Sequence, residues 1–202
     1  MNALFDPDGK LMYYGSKLWD LIWLNILTVT CLIPIFTIGV AFSSMHYVLI
    51  KIQRNECGSV TKEFLKAFQG NFKQGIVGTL IMAATAYLLY IDYQLLQTSV
   101  PAFFRFLFPV ILLTVMCVFS WFFVMQARYH NSVWQTLKNA WLLCIKHIPK
   151  TIMMASLSVI PFLLPLIHPY FLMYITLFGF TLSGLIESYL YLPVLVKIEE
   201  QI

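Results

Sequence analysis

The sequence predicts an all-α integral membrane protein, a single polytopic bundle of about six transmembrane helices. Of its 202 residues, 60% are apolar or aromatic and only 11% are charged. A soluble domain is closer to half apolar and one quarter charged, so this chain has too little polar surface for a water-exposed fold. Apolar stretches of roughly 20 residues, the length that crosses a bilayer as a helix, recur along the whole chain.

The first long apolar region, residues 18–50, exceeds the length of one span. Its 33 residues would form a helix of about 50 Å, whereas the hydrocarbon core measures about 30 Å. Pro34 lacks a backbone donor and disfavours helical geometry at Ile33, and Gly39 adds backbone freedom. We therefore predict two helices joined by a tight outer turn within residues 31–39. A single kinked span is the alternative.

The remaining apolar regions give four further spans, and one membrane domain covers residues 1–202. The six predicted spans are residues 11–33, 38–53, 75–97, 103–127, 149–167 and 171–195.

The basic residues predict the orientation of these spans. With six spans and both termini inside, 12 of the 13 Lys and Arg residues are cytosolic and only Arg105 is outside. A five-span arrangement with the N-terminus outside moves Lys10 and Lys17 out, which changes the division to 10 and 3. Cytosolic loops are enriched in Lys and Arg, so six spans with cytosolic N- and C-termini are favoured. The net charge of +4 then reflects orientation and contact with anionic lipid rather than nucleic-acid binding.

Two segments between spans, residues 60–73 and 133–147, are predicted to form amphipathic helices on the cytosolic side. Lys62 and Lys66 lie opposite the apolar face of the first segment. Basic amphipathic helices that carry aromatic residues typically lie in the headgroup plane. The alternative is that they dock a partner protein. The apolar faces comprise Val60, Phe64, Ala67, Phe68 and Phe72 in the first segment, and Val133, Leu137, Ala140, Trp141, Cys144, Ile145 and Ile148 in the second.

The two segments also resemble each other at an offset of 73 residues. Gln53 aligns with Gln126 and Val60 aligns with Val133. The pattern suggests a unit of span, short helix and span that is used twice, as in many transporter folds. A chance similarity is the alternative.

No sequence motif for catalysis, nucleotide binding or metal binding is present, so we predict neither an enzyme nor a cofactor or metal site. The candidate functional residues are instead ionisable groups inside the predicted spans, since each is costly to bury there. Asp92 and Arg105 flank one outer turn at equal distance and are expected to pair, as a structural pin rather than a substrate site. Asp20 faces headgroups or Lys17.

Glu187 lies deeper and is the best candidate for a proton- or ligand-linked carboxylate, with a plain interhelical hydrogen bond as the simpler interpretation. His46 is expected to be a packed residue that forms a hydrogen bond.

Three stretches carry a resemblance to a known family: LFDPDGKLMYYGSKLWDLIWLNIL, CLIPIFTIGVAFSSMHYVLIKIQRNE and FLKAFQGNFKQG. They resemble the N-terminal region of the YesL-like membrane proteins, a bacterial family of unknown function. The resemblance implies a small polytopic protein of the bacterial plasma membrane, often encoded beside carbohydrate ABC importers. It carries over no catalytic or binding residue.

Two functions follow as expectations. The first is a non-enzymatic accessory factor linked to carbohydrate uptake, which binds subunits of an ABC importer. NAWLLCIKHIPK lacks the glutamate and glycine of an importer coupling loop, so the chain is not expected to be a permease itself. The second is a small homodimeric secondary transporter or channel that uses Glu187, Asp92 and Arg105. A cavity lined by Glu187 at the bilayer midplane favours the second function, and a solid bundle with Glu187 buried against its neighbours favours the first.

Overall fold

The computed structural model describes residues 10–96, 102–129 and 131–200, and within these ranges the chain is almost entirely helical and contains no strand. The predicted all-α helical bundle is thus confirmed. The helices are α1 (Lys10–Leu32), α2 (Ile38–Gln53), α3 (Val60–Gly70), α4 (Phe72–Leu96), α5 (Ala102–Arg128), α6 (Val133–Lys146), α7 (Ile148–Ile167), α8 (Phe171–Tyr174) and α9 (Phe180–Glu199).

Five segments of the described chain are long and apolar enough to cross a membrane. The first predicted span corresponds to α1, which is not one of the five, since Lys17, Asp20 and Asn25 lower its hydropathy. A sixth span at α1 therefore stays a prediction. The five segments are Ile35–Gln53, Phe72–Leu95, Leu107–Arg128, Ile148–Ile167 and Phe171–Glu199.

The chain between α1 and α2 forms a tight turn rather than a kink. Pro34 is extended, with φ −77° and ψ 112°, and a single 3₁₀ turn, Ile35–Thr37, follows it. The Thr37 N–H donates to the Pro34 carbonyl at 2.9 Å, and the Thr37 hydroxyl donates to the Cys31 carbonyl at 2.6 Å. These bonds close the turn, so residues 10–53 form two separate helices.

The order of long, short and long helix occurs twice, as α2–α3–α4 and as α5–α6–α7. The short helices begin at Val60 and Val133, a separation of 133 − 60 = 73 residues. A single residue, Asn71 or His147, separates each short helix from the long one that follows. The first short helix therefore ends three residues before the predicted bound of 73, because Asn71 (φ −95°, ψ 3°) leaves helical geometry.

The two short helices are buried along different stripes. In α3, Val60, Phe64 and Ala67 are buried, in agreement with the predicted apolar face. In α6 the buried residues are Thr136, Ala140 and Leu143, which pack towards α5. Of the apolar face predicted for this segment, Trp141 and Ile145 are exposed, because the stripe that meets α5 is centred on the small Ala140. The larger apolar side chains of α6 consequently face outwards.

Helix α2 lies at the centre of the bundle and packs against α1, α3, α4, α5 and α9. Glycines make its crossing with α4 possible. A Cβ atom on Gly39 would lie 2.6 Å from the Gly75 carbonyl oxygen, and one on Gly75 would lie 2.8 Å from the Val40 backbone nitrogen. The Gly39 N–H donates to the Thr79 hydroxyl at 2.8 Å, which joins the two backbones at this point.

A charge cluster joins three helix ends. The Glu199 carboxylate accepts a hydrogen bond from Arg128 Nε at 2.7 Å and another from Arg54 Nη2 at 3.0 Å. Arg54 follows α2, Arg128 ends α5 and Glu199 ends α9, so these three C-terminal ends lie on one side of the bundle. That arrangement agrees with the alternation predicted from basic residues, and the cytosolic location of this side stays a prediction.

A π-helical turn, Ile175–Gly179, interrupts the last long helix and is held by a buried asparagine of α1. Asn25 Nδ2 donates to the carbonyls of Ile175 and Thr176 at 2.7 and 2.8 Å. Its Oδ1 accepts from the N–H groups of Phe180 and Thr181 at 3.0 and 3.1 Å. One side chain thus satisfies four backbone groups that the change of helical pitch leaves available.

We predict that Asn25→Leu destabilises the fold. The substitution removes the partner of four backbone groups, and each buried group left unsatisfied costs about 1–3 kcal/mol. Thermal unfolding in detergent should show a midpoint several degrees lower than that of the wild type. Thr28→Val, which removes a buried hydroxyl bonded only within α1, is the matched control. Equal effects of the two variants would contradict the special role of Asn25.

We also predict that Gly75→Ala destabilises the contact between α2 and α4. The added Cβ meets backbone atoms of Val40 within 2.8 Å, so the helices must separate. Overpacking of this kind costs roughly 1–3 kcal/mol, which thermal unfolding in detergent measures. Gly15→Ala in α1, where a Cβ meets nothing within 4 Å, should leave stability unchanged or raise it. A Gly75→Ala protein as stable as Gly15→Ala would show that the close approach is not needed.

Candidate functional site in the bundle interior

A cavity of about 370 Å³ lies between α2, α4, α5, α7 and α9. Its walls are mainly apolar, with contributions such as Phe42, Met82, Leu112 and Phe162. Cavities of roughly 300–1,000 Å³ with apolar walls and a few convergent polar groups are typical of small-molecule sites. The polar side chains on the walls are His46, Ser120, Ser158, Ser183 and Glu187.

Glu187 is the acidic residue on the cavity wall, and its side chain lies among three helices. It is only 3% exposed. Its Oε1 accepts a hydrogen bond of 2.7 Å from the Ser158 hydroxyl on α7. Its Oε2 lies 3.9 Å from His46 Nε2 on α2, beyond direct hydrogen-bond distance. The interhelical hydrogen bond expected for Glu187 is present, and the carboxyl group also borders open space.

His46 extends this polar cluster from Glu187 to Tyr191. Its Nδ1 lies 3.2 Å from the Tyr191 hydroxyl, and the two rings meet edge to face with centroids 5.6 Å apart. Both residues are buried, at 5% and 0% exposure. His46 is therefore packed and hydrogen-bonded, as the sequence predicts. Its ring lies between Tyr191 and Glu187, which are one helical turn apart on α9.

Close contact between α2 and α9 brings these side chains together. A Cβ atom on Gly184 would lie 2.9 Å from both Leu49 Cδ1 and Met45 Cε, so only glycine permits this approach without a shift of side chains. One turn further, Gln53 donates to the Ser188 hydroxyl and so joins the end of α2 to the middle of α9. Because α2 and α9 are this close, His46 comes within reach of both Glu187 and Tyr191.

The other predicted candidates lie elsewhere. Asp92 is exposed on α4 and does not line the cavity. Arg105 belongs to α5, but its side chain lies outside the described part of the structure, so the pairing of Asp92 with Arg105 stays a prediction. Asp20 is partly exposed on α1. Of the four candidates whose side chains the structure describes, Glu187 and His46 are the two that it brings together.

Ser158 and Tyr191 also belong to this cluster, although neither was predicted from the sequence. Tyr191 follows Glu187 by four residues and therefore shares its helix face, a signal that was available. Ser158 gave no such signal, because it lies 29 residues earlier on another helix and has serine neighbours of equal polarity, such as Ser156.

A carboxyl group, an imidazole and hydroxyls converge on an otherwise apolar space, which is the composition of a site for an apolar molecule with one cationic or donor group. Within residues 10–96, 102–129 and 131–200, no group of three His, Cys, Asp or Glu side chains is arranged to hold a metal ion.

Comparison with known proteins gives one match. Residues 21–93 match the family described as a protein of unknown function, DUF624. No curated protein and no solved structure matches the chain. The matched segment runs from α1 to α4 and contains Asn25 and His46, whereas Ser158 and Glu187 lie beyond it.

Proposed function

We propose that this protein is a small secondary transporter of the bacterial plasma membrane. The observation that carries the proposal is the position of Glu187 on the wall of an apolar cavity of about 370 Å³. A solid bundle would have favoured the accessory function instead. In the proposed function the protein is non-enzymatic, its N- and C-termini are cytosolic, and two copies form a homodimer.

The ligand of this site is a small, mainly apolar cation. Its apolar part is accommodated by the walls, and its positive charge is balanced by the Glu187 carboxylate. A charge inside a membrane protein requires a partner of opposite sign, so a proton or the cationic ligand occupies Glu187 in turn. Exchange of one for the other couples ligand movement to the proton gradient.

We predict that the purified protein binds tetraphenylphosphonium and does not bind tetraphenylborate, which has the same shape and the opposite charge. Isothermal titration calorimetry in detergent measures both. Glu187→Gln should weaken tetraphenylphosphonium binding at least tenfold, a loss of about 1.4 kcal/mol, because it removes the charge and keeps the shape. Uptake into liposomes driven by a pH gradient should decrease in the same variant.

Asp92→Asn is the matched control, since it removes a carboxylate from an exposed site outside the cavity and should leave binding unchanged. Equal losses in the two variants, or wild-type protein that does not discriminate between the two ions, would contradict a cation site at Glu187. Binding without uptake would contradict the transport function and would still support a cation site at Glu187.

A second candidate function, an accessory factor for a carbohydrate ABC importer, is favoured by the surface of α3. Leu65 is 47% exposed beside the exposed Lys62 and Lys66, which together give a mixed apolar and basic face. The first turn of α3 is joined to α2, because Lys51 donates to Glu63 at 2.8 Å. The same contact lowers the pKa of the Glu63 carboxyl group. The YesL-like resemblance, with its frequent proximity to importer genes, supports this candidate as well.

Affinity purification of the tagged protein from native membranes, after growth on a pectin-type polysaccharide, tests this second candidate. Stoichiometric recovery of importer permease subunits is the expected result. Leu65→Glu on α3 should abolish that recovery, whereas Ile145→Glu, at a comparably exposed position of α6, should preserve it. Recovery of the protein alone, as a dimer, would exclude a stable importer complex.

A further inference from the structure

A second open space lies on the flank of the bundle, between α4, α5 and α6. This groove has a volume of about 510 Å³ and is distinct from the cavity at Glu187. Ile81 and Thr85 of α4 form one wall, Val118 of α5 forms the floor, and Trp141 of α6 forms the other wall. The groove therefore extends from a short amphipathic helix into the apolar side of two long helices.

The walls of the groove suit a hydrocarbon chain. The two hydroxyls on the walls are already used, since Thr85 donates to the Ile81 carbonyl and Thr114 to the Val110 carbonyl, each at 2.8 Å. Hydroxyls that are bonded within their own helix have no free hydrogen to offer a ligand. A polar ligand would thus find few partners along the groove, whereas an acyl chain requires none.

The end of the groove at α6 carries a positive charge. Lys138 lines the groove, and its Nζ lies 5.5 Å from the centroid of the Trp134 ring. Among the described residues, no carboxylate forms a salt bridge with Lys138. Tryptophan is enriched at the level of lipid headgroups, and lysine at that level attracts anionic lipids. In the first unit of the repeat, the position 73 residues before Lys138 is occupied by Leu65.

From this combination we propose that the groove binds one anionic phospholipid. One acyl chain lies along Thr85, Val118 and Trp141, and the headgroup phosphate contacts Lys138 beside Trp134. The occupant is a membrane lipid rather than a free phosphate, because the apolar part of the site is much larger than its charged part.

Native mass spectrometry of the delipidated full-length protein tests the proposal. The probes are dioleoyl phosphatidylglycerol and dioleoyl phosphatidylcholine, which share acyl chains and differ in headgroup charge. The wild type should retain phosphatidylglycerol about fivefold better than phosphatidylcholine, as expected for one interfacial lysine. Lys138→Gln should remove that preference. Lys62→Gln, which neutralises an exposed lysine of α3 outside the groove, should preserve it.

A second pair of variants tests the acyl-chain part of the groove. Thr85→Phe fills the groove and should lower retention of both lipids, whereas Ala84→Phe adds the same ring to an exposed position of α4 outside it and should not. Loss of the preference in Lys62→Gln as well as Lys138→Gln would show diffuse charge attraction and overturn the proposal. Equal retention of both lipids by the wild type would overturn it too. The same holds for a Thr85→Phe protein that changes its oligomeric state but retains both lipids as the wild type does.

Discussion

The contact between Asn25 of α1 and the π-helical turn that precedes α9 is the interaction on which the candidate site depends. This buried side chain stabilises the π-helical turn at Ile175–Gly179 through four hydrogen bonds, two donated by Nδ2 and two accepted by Oδ1. Each helical residue turns the chain by about 100°, so the extra residue of a π turn changes the face that every later residue presents. Glu187 lies two turns further along α9. The π-helical turn therefore sets the direction of its side chain, which points towards α2 and α7. A polar contact in α1 therefore determines which face of α9 borders the cavity.

Close helix packing then determines how near the polar groups lie. Gly39 and Gly75 bring α4 to α2, and Gly184 brings α9 to α2. In a bilayer, apolar side chains gain little from leaving lipid, so small residues and interhelical hydrogen bonds replace the hydrophobic effect as the forces that associate helices. The buried polar residues follow this principle, since Ser158 bonds to Glu187 and Gln53 bonds to Ser188 across helix pairs. The site is thus built from the same interactions that hold the bundle together.

Hydropathy and backbone chemistry were enough to predict the helices but not their mutual arrangement. The break after Leu32 followed from Pro34 and Gly39, and the bounds of α2 agree with the predicted residues 38–53. The π-helical turn could not be predicted, because it depends on Asn25, which lies 150 residues away from Ile175. The periodicity of α6 likewise showed an apolar face but not which part of it is buried: Ala140 is buried against the bundle, whereas Trp141 and Ile145 of the same face are exposed. Glu187 was identifiable by its charge alone, whereas Ser158 became recognisable only in three dimensions.

The cavity at Glu187 and the groove at Lys138 share part of a wall, because Val115 and Phe119 of α5 line both spaces. The Phe119 ring lies 6.1 Å from that of Phe122 and 6.2 Å from that of Phe123, so it packs against aromatic neighbours within α5. A substitution at Phe119 would therefore affect both spaces, whereas Glu187 lines only the cavity and Lys138 lines only the groove. The two proposals can for this reason fail independently, although the same helix forms the boundary between their sites.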